Sequence, residues 1–204
     1  LQVHDEVTMT TPICPTCGQP TEPPAGEIII TAAILPQVKD LAPRPGPVKA
    51  IVYHTTGRGL AKVAAQAAAP GTAEYDQAAL AWYRRSGHAY YGAILVGPSG
   101  LAYRLAPDGV KAWHSASLTA EQAAGKATAP KWWRERWAPL PGPHALIGRS
   151  INALALGVDA LPLPDGTFSE AQLDALAAVG RQLAKAHVLT LERIHHLGHE
   201  DVDP

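Results

Sequence analysis

The chain has 204 residues, a formal net charge of −1 and a pI near 6.8. This length suits one domain with a substantial core. The near-neutral charge gives no electrostatic attraction to nucleic acid or to an anionic membrane. No apolar run approaches the roughly 18 residues that a membrane span requires. The N-terminus lacks the basic and apolar regions of a signal peptide, so no export signal is visible in it.

The first 27 residues are rich in Pro and Thr and show no hydrophobic periodicity, which predicts a tail or linker. They contain both cysteines of the chain, Cys14 and Cys17, in a C-x-x-C arrangement among prolines. A structural zinc site needs four ligands, and the sequence has no second pair. The pair therefore belongs either to a metal-binding knuckle completed by His4 or another chain, or to a tail without fixed structure.

The main domain is predicted to begin after the segment RPGP (44–47). We expect residues 1–45 to be an attachment segment and residues 46–204 to be the domain. The preceding segment EIIITAAIL is either a short strand or a packed arm. VKAIVYHTT is apolar, β-branched and bounded by Pro and Gly, which is typical of a buried strand. Two helices are predicted after it, an Ala-rich one from about Leu60 and another over about 72–85.

The second of these helices carries an apolar stripe at helical spacing, which we expect to face the core. The stripe consists of Tyr75, Ala79, Trp82 and Tyr83. The next segment, YYGAILVGPSGLAYRLAP, has the pattern of a hairpin, with two strands around the turn GPSG. INALALGVDAL is predicted to be another apolar strand.

SEAQLDALAAVGRQLAKAHV is the clearest helix in the sequence, and Ser169 with Gln172 forms a capping box at its start. Its buried face is predicted to consist of Leu173, Leu176, Gly180 and Leu183. LERIHHLGH closes the pattern with a short strand. Strands that alternate with helices around one hairpin indicate an α/β fold, with a mixed central β-sheet flanked by helices.

Three histidines follow or end predicted strands and are candidates for a metal site. His54 ends an apolar strand before the turn TTGRG, which is where open α/β sheets present ligands. His114 lies in AWHS after the hairpin, and His199 lies in GHEDVDP among acidic residues. A catalytic zinc takes three protein ligands from His, Cys and carboxylate and keeps a water molecule in the fourth position.

Taken together, these segments resemble the type 2 N-acetylmuramoyl-L-alanine amidases, the family that includes peptidoglycan recognition proteins and phage amidase lysozymes. VKAIVYHTTGRG resembles the family's first block and puts His54 at a zinc-ligand position. SGLAYRLAPDGVKAWHS resembles the hairpin and the block after it, which places His114 at the cleft. GHEDVDP resembles the block of the second ligand, here His199. The resemblance covers roughly residues 46–204, with the blocks in the family's order.

The resemblance also implies the catalytic acid. NALALGVDAL followed by FSEAQLDAL is similar to the block in which an acidic residue ends a buried strand before the main helix. Asp159 occupies that position, where family members commonly have Glu. The family's catalytic tyrosine corresponds to Tyr91 or Tyr90, or is absent here. The third zinc ligand, an Asp or Cys, follows the second His by several residues in the family, so we expect it beyond Pro204.

The implied reaction is hydrolysis of the amide between N-acetylmuramic acid and L-alanine in the peptidoglycan of a bacterial cell wall. Zinc would lower the pKa of its bound water to about 7. Asp159 would orient or deprotonate that water, and His114 or a tyrosine would stabilise the oxyanion. Thr55, Trp113 and Asn152 are the expected substrate contacts.

Two further interpretations stay open at this point. The first is a peptidoglycan-binding module that keeps the groove of the fold but lacks a complete zinc site. The second is that the domain is one part of a larger phage tail, lysis or cell-wall protein, with residues 1–45 as its attachment.

Overall fold

The computed structural model describes residues 28–87, 91–114, 151–191 and 196–198. The strands of its six-stranded sheet are β1 (Ile30–Ala32), β2 (Ala50–Thr55), β3 (Ile94–Val96), β4 (Ala102–Arg104), β5 (Ala155–Ala160) and β6 (His196–Gly198). The helices are α1 (Gly57–Ala65), α2 (Ala73–Ser86), α3 (Ile151–Leu154) and α4 (Glu170–His187), with a 3-10 helix at Pro36–Asp40. The predictions for residues 1–27, Cys14 and Cys17 included, lie outside the described residues.

The sheet is mixed, as the sequence predicts, and its strands follow the order β1-β4-β3-β5-β2-β6. β3 and β4 form the predicted antiparallel hairpin, and the other four neighbouring pairs are parallel. β2 and β5 pair along six residues, from Ala50 opposite Ala155 to Thr55 opposite Ala160. Within the described residues, no helix is long and apolar enough to cross a membrane.

Helices cover both faces of the sheet, because successive side chains of a strand point to opposite faces. In β5, Leu156 and Val158 pack against α4 in one core cluster. On the opposite face, α1 and α2 pack over a second cluster that includes Leu95 of β3 and Tyr103 of β4. Parallel strands that are covered on both faces have sequences that are almost continuously apolar, and β2 and β5 show this pattern.

The predicted strand INALALGVDAL is only partly a strand, because its first four residues form α3. The backbone carbonyls of Asn152 and Ala155 both accept hydrogen bonds from Nη1 of Arg44, at 3.2 and 3.0 Å. One turn of helix brings carbonyls three residues apart close together, whereas an extended strand would separate them by about 10 Å. The contact with Arg44 therefore favours a helical turn at this point.

Residues 28–45 contribute to the same sheet. β1 pairs with β4, and the backbone N–H of Leu35 donates to the carbonyl of Leu105. Leu35 itself is buried in the core on the α1 and α2 side. The segment EIIITAAIL therefore includes a strand, and the division of the chain at residue 45 stays a prediction.

Helix α2 lies close to its predicted range of about 72–85. Oγ1 of Thr72 accepts the N–H of Tyr75 at its start, and Gly87 adopts the left-handed conformation at its end, with φ of 61°. Tyr75, Ala79 and Tyr83 are buried, which confirms that the stripe faces the core.

The capping box predicted for α4 is confirmed only in part, since Oγ of Ser169 accepts the N–H of Gln172 at 3.0 Å, whereas the Gln172 side chain returns no hydrogen bond to Ser169. The predicted buried face is partly wrong, because Leu173 is 52% exposed. Gln172 is buried instead, and its amide donates to the carbonyls of Val96 and Leu161 at 2.7 and 2.8 Å. These two hydrogen bonds use both hydrogens of the buried amide, and the orientation that they require turns Leu173 towards solvent.

Gly180 and Leu183 are buried in α4, as predicted, and Leu176 is partly buried. Gly180 lies over Tyr53, and a Cβ at this position would collide with the Tyr53 hydroxyl. That hydroxyl lies 2.9 Å from Nδ1 of His196. Glycine at position 180 therefore allows α4 to approach a polar pair that joins β2 to β6.

A buried carboxyl connects the start of α2 to the hairpin turn. Asp76 is fully buried, accepts a hydrogen bond from Oγ of Ser99 and packs against Gly97, where a Cβ would collide with the carboxylate. Burial raises the pKa of Asp76 to about 6, more than the hydrogen bonds of Ser99 lower it. The folded state therefore favours the protonated carboxyl.

We expect Asp76→Asn to raise the melting temperature at pH 7.5. The folded-state pKa of Asp76 lies above the unfolded value, so its contribution to stability is complete below about pH 4 and is lost as the pH rises through about 6. The gain should therefore disappear at pH 3.5. Thermal unfolding at both pH values measures it, with exposed Asp174→Asn as the control. An equal effect of Asp76→Asn at both pH values would contradict the assignment.

Candidate functional site

The candidate site lies at the carboxyl ends of β2 and β5, on the face that α1 and α2 cover. His54 and Asp159 are directly paired in the register of these strands. Paired residues of neighbouring parallel strands point to the same face of a sheet, so the two side chains extend side by side. Leu95 of β3 is paired with Asp159 on its other side. The pairing therefore places an imidazole and a carboxyl on adjacent strands.

His114 reaches this site from the loop after β4. Its Nδ1 lies 2.9 Å from Nε2 of His54, and the two rings meet edge to face with centroids 5.1 Å apart. His114 is only 7% exposed, whereas His54 is half-buried. Two of the three histidines predicted for the site are therefore in contact, although 60 residues separate them in the chain.

Both the backbone and the ring of His114 are held by α3 and β5. Its backbone N–H donates to Oδ1 of Asn152 at 3.0 Å, and its Nε2 lies 3.2 Å from the carbonyl oxygen of Ala155. The ring lies directly over Gly157, where a Cβ would be 2.5 Å from Cγ of His114. The position of His114 therefore requires glycine at residue 157.

Asp159 is 5% exposed and accepts the backbone N–H of Gly92 on Oδ2 at 2.7 Å. It also has a side-chain hydrogen bond with Tyr83 of α2. Burial raises the pKa of Asp159 to about 6, although both hydrogen bonds lower it. A carboxyl group with a pKa in this range can take up and return a proton near neutral pH.

Gly92 gives the carboxyl of Asp159 room. A Cβ at Gly92 would lie 2.9 Å from Oδ1 of Asp159 and 2.7 Å from the carbonyl oxygen of Gly157. Tyr83, which the sequence places in the core, lies beneath the site as well, and its burial and the nearby Asp159 raise its pKa. Neither role is predictable from local sequence, because Gly92 and Tyr83 act on a residue more than 60 positions away.

The other predicted site residues divide into exposed and buried positions. Thr55 is exposed at the end of β2, and Trp113 is 40% exposed with Nζ of Lys111 5.4 Å from the centroid of its ring. Tyr91, by contrast, is 2% exposed, and its backbone N–H donates to the carbonyl of Trp113. Asn152 is fully buried. Thr55 and Trp113 are therefore exposed to solvent, whereas Tyr91 and Asn152 are buried.

The described part of the chain includes only one of the two predicted zinc ligands, His54. There, no group of three or more His, Cys, Asp or Glu side chains is arranged to hold a metal ion. His199, the predicted second zinc ligand, and Tyr90 lie outside the described residues.

We expect Gly157→Ala to destabilise the fold by about 1–3 kcal/mol, the usual cost of overpacking a buried site. The added methyl group would occupy the space of the His114 ring and displace it. Urea unfolding measures the loss, and a crystal structure of the variant shows the ring. Gly46→Ala is the control, since a Cβ there meets nothing within 4 Å. Wild-type stability together with an unmoved ring would contradict this account.

Several solved structures are similar to this chain, and the similarity to AmpD supports the fold. A selenomethionine derivative of AmpD is 14% identical, with a TM-score of 0.51 over 88% of this chain and 86% of that chain. The amidase LysC from Clostridium intestinale URNW is 16% identical, with a TM-score of 0.46 over 85% and 84% of the two chains. Drosophila peptidoglycan recognition protein SA is 13% identical, with a TM-score of 0.47 over 84% and 82%.

A sequence comparison with curated proteins finds no match. A family model described as N-acetylmuramoyl-L-alanine amidase, however, matches residues 44–204, which is most of the chain. The predicted α/β amidase fold is confirmed by this match and by the similarity to AmpD. The chain belongs to the N-acetylmuramoyl-L-alanine amidase family.

Proposed function

We propose that this domain hydrolyses the amide between N-acetylmuramic acid and L-alanine in the peptidoglycan of a bacterial cell wall, and that it uses zinc. The observation that carries the proposal is the pairing of His54 with the buried carboxyl of Asp159 at the ends of β2 and β5. In a member of this amidase family, that pairing puts a zinc-type ligand next to a carboxyl group able to transfer protons.

The donor chemistry around His54 fits a zinc ion. His54 contributes an imidazole at the end of β2, and imidazole is a common zinc ligand. His199 directly follows Gly198, which pairs with Tyr53, the residue before His54. We propose that His54 and His199 are zinc ligands, and that the third is an Asp or Cys that follows them in the chain. When bound, zinc polarises the amide carbonyl and makes an attacking water acidic near pH 7.

Asp159 is proposed as the general base and acid. Its pKa of about 6 leaves it ionised at neutral pH, when it can take the proton of the attacking water and return it to the leaving amine. The N–H of Gly92 and the hydroxyl of Tyr83 hold the carboxylate in one orientation during this exchange. Such fixed geometry supports proton transfer because the donor and acceptor need no reorganisation.

The substrate contacts are proposed at the exposed residues around the site. Trp113 presents an aromatic ring, which suits contact with the apolar face of a sugar, and Thr55 presents a hydroxyl at the end of β2. His114 directs one ring nitrogen at His54 and the other at the carbonyl of Ala155. We therefore propose a positioning role for His114 in place of the oxyanion contact that the resemblance implies.

We expect the full-length protein to release new L-alanine amino termini from purified peptidoglycan without releasing reducing sugar ends. A chelator should stop the reaction, and added zinc should restore it. End-group labelling of the digest distinguishes the two products. Release of reducing ends would indicate a glycosidase and contradict the proposal. Tight binding to peptidoglycan without any new amino terminus would instead identify a binding module. That this domain is part of a phage lysis or tail protein stays a prediction.

We expect Asp159→Asn to lower kcat by about 10²–10⁴-fold, the usual contribution of a general acid or base. The substitution preserves the size of the side chain and the hydrogen bond from Gly92 while removing the proton acceptor. KM should change little, because Asp159 is buried and the proposed substrate contacts are exposed residues. Steady-state kinetics measure both values, with Asp174→Asn as the matched control. Retained activity in Asp159→Asn would show that another group transfers the proton.

A further inference from the structure

The guanidinium group of Arg44 is surrounded by backbone carbonyls. Nε donates to Asp108 at 2.7 Å, Nη2 donates to Val110 at 3.0 Å, and Nη1 donates to Asn152 and Ala155 at 3.2 and 3.0 Å. Burial lowers the pKa of Arg44, and the nearby Asp108 carboxylate raises it. A partly buried cation with this many donors in use fixes the relative positions of the segments that it contacts.

These carbonyls belong to the two segments that hold His114. Asp108 and Val110 lie in the loop that leads to His114, and Asn152 and Ala155 lie in α3 and β5. The side chain of Asn152 accepts the backbone N–H of His114, and the carbonyl of Ala155 lies at its ring. Arg44 therefore contacts the loop that carries His114 and the surface on which His114 lies.

The carbonyl of Ala155 sets the order of donors and acceptors. A carbonyl oxygen only accepts, so in the neutral ring Nε2 of His114 carries the hydrogen and Nδ1 carries the lone pair. Nδ1 of His114 then accepts a hydrogen from Nε2 of His54, which leaves the lone pair of His54 on Nδ1. If Nδ1 of His114 carried the hydrogen instead, the lone pair of its Nε2 would face the carbonyl oxygen of Ala155 across 3.2 Å, and both atoms would be acceptors.

We propose that Arg44 and His114 are positioning residues that hold the ring of His54 in one tautomer, so that Nδ1 is the nitrogen that takes the metal. The proposal rests on the proposed function only in naming His54 as a zinc ligand. Metal-binding histidines commonly donate their second ring hydrogen to a carboxylate or a carbonyl, which fixes the ring. Here a second imidazole takes that place. The carbonyl of Ala155 contacts this ring, and Arg44 holds the backbone segments around it.

The first test reads the tautomer directly in metal-free protein. In protein labelled with ¹⁵N-histidine, NMR distinguishes ring nitrogens that carry hydrogen from those that carry a lone pair, and His54→Asn assigns the signals. We expect His54 to carry its hydrogen on Nε2. His114→Leu should produce a mixture of tautomers, whereas His114→Asn should preserve the single tautomer, since its amide oxygen can replace Nδ1 as the acceptor.

The second test measures zinc affinity of the full-length protein by competition with a chelator. Arg44→Lys keeps the charge but cannot reach four carbonyls at once. We expect it to weaken zinc binding by about 10–100-fold, the usual loss when a partner of a metal ligand is removed. Exposed Lys49→Met is the matched control and should bind as wild type. If Arg44→Lys does not fold, the comparison of His114→Leu with His114→Asn decides the question by the same two measurements.

Wild-type protein with the hydrogen of His54 on Nδ1 would overturn this proposal. So would His114→Leu with an unchanged tautomer and unchanged zinc affinity. Failure of the proposed function gives a different result, in which the tautomer and the zinc affinity respond as expected but no L-alanine amino termini appear.

Discussion

The site depends on the six-residue parallel pairing of β2 with β5 at the centre of the sheet. This register brings His54 and Asp159 together from positions more than 100 residues apart, and helices cover both faces of the two strands. A shift of one residue in the register would turn one of the two side chains to the opposite face, under α4. The apolar residues of β2 and β5 thus fix the fold and the position of the polar site at once.

Two glycines make room for the polar side chains on this surface. Gly157 allows the ring of His114 to lie on β5, and Gly92 allows the carboxyl of Asp159 to approach the backbone before β3. A side chain at either position would occupy the space of a site residue. The site therefore depends on two positions at which the backbone has no Cβ atom and a polar side chain can approach it closely.

Two carboxyls are buried among the residues that the structure describes, and burial raises the pKa of each to about 6. The carboxyl of Asp76 extends from α2 to the hairpin turn, where it contacts the hydroxyl of Ser99 and lies against Gly97. Asp159 lies at the end of a strand next to His54. A raised pKa alone does not distinguish a structural carboxyl from a catalytic one. The residues that surround each carboxyl make that distinction.

The sequence by itself determined the class of fold, the hairpin, the Ser169 cap, the places of His54 and Asp159 near strand ends and the place of His114 after the hairpin. These features follow from short-range patterns: apolar periodicity, capping residues and turn residues. Only the tertiary structure decided that Leu173 faces solvent, that Asn152 is buried, and that Arg44 contacts the segments around His114. Those outcomes depend on hydrogen bonds between residues far apart in the chain, such as the 108 positions between Arg44 and Asn152. No local pattern encodes such a partner, because the partners meet only after the sheet has formed.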